Sequence, residues 1–237
     1  MSTFLKKRNP ELVEWMDRPD CDRELLFNTY RQFSRINRLL SGWDGIYKNR
    51  IRPVLQKMDR QATLLDIGCG GGDILKKLHN WFERDGFEVR LMGIDPDQRS
   101  FEFVNSLHWP ESITFRQVNS SELLRENLRF DIVISNHLMH HLKSEELLAV
   151  CKDAAKLSSE MVIFSDIERS DIGYALFSAI APLLFRNSYI VKDGLISIKR
   201  SFQKKELQNA VPLHWNVERQ FPFRLLAIHQ KGADHEV

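Results

Sequence analysis

The segment Leu64-Leu65-Asp66-Ile67-Gly68-Cys69-Gly70-Gly71-Gly72-Asp73-Ile74 restricts the fold of this chain more than any other. It reads as a buried strand running into a glycine-packed turn and then a helix, an arrangement that lets a ligand touch main chain directly. A dinucleotide fingerprint, G-x-G-x-x-G, counted from Gly68 would place its third glycine at Asp73. A carboxylate there would repel a pyrophosphate at the helix N-terminus, which disfavours NAD and FAD. No Lys-Ser/Thr follows the glycines, so a P-loop is excluded as well. What remains is D-x-G-x-G-x-G.

The surrounding pattern agrees with an α/β chain. Short apolar runs at Thr63 to Ile67, Val89 to Ile94, Ile113 to Val118, Phe130 to Ser135 and Met161 to Ser165 alternate with amphipathic segments beginning near Asp73, Gln98, Ser120 and Ser144. Such runs suit parallel strands covered on both faces. Ser144, followed by Glu145 and Glu146, is the expected N-cap of its helix. Two further runs, Trp215 to Phe221 and Phe223 to Gln230, flank Pro222 and predict an antiparallel hairpin at a sheet edge. Before the first strand the spacing predicts a helix over Asp22 to Leu40, stopped by Ser41-Gly42, and a second over Tyr47 to Met58. Between Asp166 and Val211 an apolar helix, Ile172 to Phe185, a basic stretch and a short helix near Gln203 to Ala210 read as an insertion over the active-site end of the sheet.

On these motifs the chain resembles the class I S-adenosylmethionine-dependent methyltransferases, from about Met58 to the end. The resemblance implies a Rossmann-like, seven-stranded, mostly parallel sheet with one antiparallel edge strand and an N-terminal helical cap. Residues 1–60 would form the cap or lid, and residues 61–237 the methyltransferase domain with a lid insertion at about 167–202. The implied cofactor, S-adenosylmethionine, carries a sulfonium and an ammonium, so acids around the glycine loop are an asset. Its site would comprise Asp66, Gly68, Cys69, Gly70 and Gly72, then Asp95 and Pro96 at the end of the second strand, Asn119 and Ser120 after the third, and Asn136 after the fourth. Asp95 would hold the ribose hydroxyls and Asn119 the adenine amino group. Asp97 and Asn119 also suit helix capping.

The fourth strand leads into Asn136-His137-Leu138-Met139-His140-His141-Leu142, which is similar to the small-molecule branch of the family, including the methyltransferases of ubiquinone and menaquinone biosynthesis. It differs from the N-P-P-Y motif of the enzymes that act on amino groups. Methyl transfer to a hydroxyl requires alignment and removal of a proton, and histidine has the pKa for that base. His137, His140 and His141 are the available candidates, with His141 first by the family's pattern and His140 second. His137, Asp166, Trp43 and Tyr47 are expected on the acceptor side, with Phe177 and Phe185 adding aromatic lining, although core packing and helix capping are the ordinary fates of such residues. Lys199, Arg200, Lys204 and Lys205 read as a solvated basic face, with contact to an acidic carrier or substrate as the alternative. The stretches Glu14 to Pro19 and Arg35 to Leu40 resemble methyltransferases found alongside type III polyketide synthases. The leading reading is thus O-methylation of a small phenolic or quinol-like acceptor. The alternatives are C-methylation of an electron-rich ring and, in another class, a non-catalytic cofactor binder.

Composition narrows the setting. Lys plus Arg number 34 against 32 Asp plus Glu, a formal net charge of +2, which argues against nucleic acid as a partner. The longest uncharged stretch, Ile172 to Phe185, is too short to span a bilayer. Met1 to Met16 has basic residues but no apolar run, unlike a signal peptide. Cys21, Cys69 and Cys151 are widely spaced and form no zinc-ligand cluster, and no carboxylate stands at metal-binding spacing beside the histidines. No metal and a cytoplasmic location are therefore expected.

Overall fold

The structure, a computed structural model, describes residues 4–231. After a 3₁₀ turn at Trp15–Asp17, helix α1 (Arg23–Leu40) starts at Asp22, whose side chain accepts from the Leu25 N–H, and stops before Gly42 in the left-handed conformation. A second helical stretch comprises α2 (Trp43–Ile46), a π-helical turn (Tyr47–Ile51) and α3 (Arg52–Leu55). The wide turn ends two residues before Pro53, which has no N–H to donate to the preceding turn.

The alternating region then forms β1 (Ala62–Ile67), α4 (Asp73–Asp85), β2 (Val89–Ile94), α5 (Gln98–Asn105), β3 (Ile113–Arg116), α6 (Ser120–Arg125) and β4 (Phe130–Asn136). A 3₁₀ turn (Met139–His141), α7 (Ser144–Leu157), β5 (Ser158–Ile167), α8 (Asp171–Leu184), α9 (Ile190–Arg200), α10 (Lys204–Ala210), β6 (Asn216–Gln220) and β7 (Arg224–Gln230) complete the chain. The sheet order is β3-β2-β1-β4-β5-β7-β6. Strand order reverses between β1 and β4, so the crevice beyond their carboxyl ends is where this architecture holds ligands.

Neighbouring strand residues face opposite layers. Leu64, Ile132, Ile134 and Ile163 pack with α4 and the α2–α3 stretch, while Leu65, Val133, Val162 and Phe164 pack under α7 and α10. Both faces are covered, which is why the strands read as continuous apolar runs rather than alternating ones.

Four expectations change in detail. The hairpin lies at the sheet edge, but its inner member, β7, is the antiparallel strand, and β6 at the rim runs parallel to β1–β5. Leu225, Leu226, Ala227 and Ile228 of β7 are all buried, whereas β6 carries Asn216, Glu218, Arg219 and Gln220, and the polar strand takes the edge. Helix α7 is capped one residue earlier than expected, at Lys143, whose N–H donates to the Glu146 carboxylate at 2.7 Å, which leaves Ser144 inside the first turn. β3 ends at Arg116, short of Val118. Helix α9 was not anticipated. A Cβ on its Gly194 would stand 2.4 Å from the Phe177 ring, so this glycine allows α8 and α9 to touch rather than breaking the helix.

Far from the crevice, Asp131 ties β4 to its neighbours: it accepts from Arg60 Nη2 (2.6 Å), Thr63 N (2.8 Å) and Ser159 Oγ (3.1 Å). Burial alone would raise this carboxyl, but the hydrogen bonds from Arg60 and Thr63 outweigh it and hold it at about 2. Its contribution is therefore complete above pH 4 and disappears as pH falls towards 2. Asp131→Ala is expected to cost about 2 kcal/mol in urea unfolding at pH 7, with the difference from the parent shrinking at low pH.

Candidate cofactor and acceptor site

The loop after β1 is built on left-handed backbone at Gly68 (φ 71°), Gly70 (φ 49°) and Gly72 (φ 73°). A Cβ on Gly72 would stand 2.8 Å from the Phe115 ring. The Gly68 and Cys69 N–H groups both donate to the Ile94 carbonyl, at 2.8 and 3.1 Å, and so pin the loop to β2. Asp95 accepts from Gly70 N through one oxygen and from Asp97 N through the other, each at 3.0 Å. Ser100 Oγ donates to the Gly70 carbonyl at 2.7 Å.

Three carboxylates converge here. Asp66 is 2% exposed, and its Oδ1 has no hydrogen-bond partner. Burial, with the charges of Asp73 and Asp95, drives its carboxyl well above the ordinary range. Burial also raises Asp73, against a hydrogen bond from Asn37 Nδ2 at 2.9 Å, and raises Asp95. Buried negative charge in this excess suits a cationic ligand, and together with the glycine cradle it fits S-adenosylmethionine.

Other expected cofactor residues lie around this loop with mixed roles. The Cys69 thiol sits beside Gly93 of β2, where a Cβ would come 2.8 Å from its sulfur, so Cys69 offers the ligand its main chain. Pro96 is exposed beyond β2. Asn119 is exposed and caps α6 in a box with Glu122. Ser120 is buried and turned away, its hydroxyl donating to Asp153 of α7 at 2.8 Å. Asp97 caps α5 through the Arg99 N–H. Helix α1 covers the loop: the Tyr30 side chain would stand 3.0 Å from a Cβ on Gly71, and Tyr30 is buried.

At the exit of β4, Asn136 Oδ1 accepts from Trp43 Nε1 (3.1 Å) and from Arg224 Nη2 (2.7 Å). The same guanidinium reaches Ser165 Oγ at 2.8 Å and His137 Nε2 at 3.0 Å. His137 has φ 63° and a side chain 31% exposed, and Asn37 Oδ1 lies 3.2 Å from its Nε2. Enclosure, then the Arg224 charge, pushes its pKa well down, so the ring is neutral at pH 7.

His140 and His141 stand differently. His140 is 2% exposed, with Nδ1 2.7 Å from Asp166 Oδ1 and Nε2 3.2 Å from Glu14 Oε1. Burial opposes its charge, but Asp166 and Glu14 prevail and lift it to about 9. Glu14 is raised by burial and lowered more strongly by His141 and His140, to about 2. An imidazolium cannot accept a proton, which tells against His140 as the base. His141 Nδ1 lies 3.0 Å from Asp17, and its Nε2 3.8 Å from Glu14. Carboxylates thus do flank the histidines: Glu14 and Asp17, brought there by the N-terminal segment, and Asp166 of β5, already expected on the acceptor side.

Of the remaining candidates, Trp43 reaches Asn136 but is fully buried, and Tyr47 is elsewhere, with its ring stacked on Trp81 and its hydroxyl 2.7 Å from Asp85 at the far end of α4. Phe177 and Phe185 pack with Phe33 and Ile36 of α1. Arg200 is buried, not solvated: it donates to the His140 and His141 carbonyls, while Lys199 lies over the Tyr174 ring. Glu14, Asn37 and Arg224 went unrecognised in the sequence. Each lies far along the chain from the motif it serves, and although Glu14 and Asn37 stood in stretches already singled out, no spacing tied them to the histidine turn.

Residues 64–160 match the family model of the methyltransferase domain, a span that holds the glycine loop, Asp95 and the histidine turn. Comparison with curated proteins finds no match. Among solved structures, the chain is similar to the plantazolicin methyltransferase BpumL in complex with SAH, with 15% identity, 90% of each chain covered and a TM-score of 0.63. It is also similar to magnesium protoporphyrin IX methyltransferase from Synechocystis PCC 6803 with bound SAH, at 15% identity, 85% and 84% covered and a TM-score of 0.51. Human N-acetylserotonin methyltransferase in complex with SAM shares 12% identity over 92% of this chain and 62% of its own, with a TM-score of 0.53. These likenesses show the fold, and the matched domain, with its acid-lined glycine loop, gives that fold its chemistry: the chain carries a methyltransferase domain over residues 64–160 and is an S-adenosylmethionine-dependent methyltransferase.

Proposed function

We propose that the protein methylates a hydroxyl of a small phenolic or quinol-like acceptor, with His137 as the base. The observation that carries this reading is the neutral, part-open His137 ring at the β4 exit, 3.0 Å from the Arg224 guanidinium. A neutral imidazole can take the hydroxyl proton, and the adjacent guanidinium favours the oxyanion that results. S-adenosylmethionine supplies the electrophilic methyl carbon when bound. Asp66 and Asp73 stand by its positive charges, Asp95 accepts from the ribose hydroxyls, and the left-handed glycines allow close approach of main chain. Asn119 remains the adenine partner in this reading, with Pro96 and Asn136 beside it. The base role moves from His141 and His140 to His137, because the former two are engaged with Glu14, Asp17 and Asp166.

The cap of residues 1–60 and the insertion at about 167–202 serve as a lid. Packing of Phe33 and Ile36 against Phe177 and Phe185 supports this, since it joins the two segments. Neighbours named for plantazolicin, magnesium protoporphyrin IX and N-acetylserotonin leave the acceptor open, so the choice rests on this chain's residues. Among the described residues no helix is long and apolar enough to cross a membrane. Three unpaired thiols favour a reducing, cytoplasmic setting.

Incubation with a ¹³C-methyl donor and a panel of phenols and quinols tests the reading. An O-methyl resonance supports it, and a C-methyl resonance would replace it with ring methylation. Asp95→Ala is expected to weaken S-adenosylmethionine binding about tenfold or more in calorimetry, the loss of charge-assisted hydrogen bonds. Unchanged affinity would displace the ribose from Asp95.

A further inference from the structure

His140 and His141 are consecutive on one 3₁₀ turn, their ring centroids are 4.2 Å apart, and both direct Nε2 at one carboxylate, Glu14, at 3.2 and 3.8 Å. The opposite ring nitrogens are held by other acids: His140 Nδ1 lies 2.7 Å from Asp166 and His141 Nδ1 3.0 Å from Asp17. An ionised carboxylate only accepts, so each Nδ1 carries the proton, and in the neutral rings both Nε2 lone pairs face Glu14. With both rings neutral, three acceptors meet with no donor among them. His140 Nε2 is buried and makes no hydrogen bond, although Glu14 Oε1 lies 3.2 Å away.

A histidine whose Nε2 points at a shared centre while a carboxylate holds its Nδ1–H is the arrangement by which proteins orient metal-bound imidazoles. The spacing also agrees. Ligand atoms about 2.0–2.1 Å from a tetrahedral ion stand about 3.3 Å from one another, close to the 3.2 Å between His140 Nε2 and Glu14 Oε1. All three donor atoms lie within 4.8 Å of one another. The turn is fixed independently of any ion: Arg8 and Arg200 donate to the carbonyls of His140, His141 and Leu142. Ser197 Oγ positions Glu14 from α9 at 2.8 Å.

We propose that Glu14, His140 and His141 bind one divalent cation of the zinc class, with Asp166 and Asp17 orienting the two imidazoles. Two nitrogens and one carboxylate oxygen suit zinc or cobalt over magnesium or calcium, which prefer all-oxygen sets. Three protein ligands leave a fourth position open. A proton on His140 relieves only one of the facing pairs, whereas a divalent ion satisfies all three atoms. The site does not depend on which acceptor is methylated.

The test uses the full chain, freed of metal by chelator dialysis and titrated with Co(II) and with Zn(II). The expected result is one equivalent of Co(II) with an intense visible d–d spectrum of tetrahedral type, displaced by Zn(II). Glu14→Gln should weaken uptake at least tenfold. His141→Ala, at a part-exposed position, provides a second variant should the first fail to fold. Titration of S-adenosylmethionine into the same samples separates this proposal from the cofactor reading, since cofactor binding with no metal uptake would overturn the metal site alone. Uptake unchanged in both variants would also overturn it. So would NMR showing His140 Nε2 still protonated with one equivalent of Zn(II) present.

Discussion

Replacing Asp66 by asparagine is expected to raise the melting temperature of the ligand-free protein while weakening S-adenosylmethionine binding tenfold or more. Both effects come from one fact: Asp66 is buried at the end of β1, its Oδ1 is without a partner, and Asp73 and Asp95 add like charge. A carboxyl whose folded pKa is raised binds more protons folded than unfolded. Its stabilising contribution is present below the unfolded value and disappears as pH rises through the folded one, so at neutral pH Asp66 weakens the ligand-free fold. Asparagine removes that charge at similar volume, which is worth about 1–3 kcal/mol and about 2–4 °C in Tm per kcal/mol for a chain of this size. The charge that penalises the ligand-free protein is the one that attracts a sulfonium. Scanning calorimetry and ligand titration on the same variant check both halves, and a variant that melts lower yet binds as well as the parent would contradict this account.

The second large effect is expected at His137. Removing a positioned general base costs about 10²–10⁴ in rate, so His137→Ala should lower kcat on that scale with cofactor affinity nearly unchanged. Because enclosure and the Arg224 charge hold this imidazole neutral, the acid limb of the parent's rate profile should fall below pH 6.5, with no loss of rate at neutral pH from this group. A single-turnover rate equal to the parent's would remove His137 from the proton transfer. A loss seen only in KM would make it a binding group.

Local chemistry explains what was legible beforehand. Strands covered on both faces must be apolar throughout, so β1, β2 and β4 stood out as runs, and the glycines announced the turn between β1 and α4 because few other residues adopt φ near +70°. Asp95 was legible for the same reason, as an acid at a strand end. The order of the last two strands was not, because a tight turn specifies an antiparallel pair without saying which member faces β5. The residues around the histidines escaped because their roles are made by the fold. Glu14 is separated from His140 by most of the sheet, Arg224 comes from β7, and no periodicity links such positions. The histidine turn itself was identified by its place at a strand end. Which of its rings is neutral depended on Asp166, Glu14 and Arg224, charges supplied from three other elements.

The central claim is that an acid-lined glycine loop at the β1 and β4 ends holds a cationic cofactor. Calorimetric titration of S-adenosylmethionine into the parent protein, in two buffers of different ionisation enthalpy across the acidic to neutral range, tests it most directly. A cation beside Asp66 lowers that carboxyl's raised pKa, so the account expects saturable one-to-one binding that releases protons and tightens as pH rises. No saturable heat, or binding with neither proton release nor pH dependence, would contradict it.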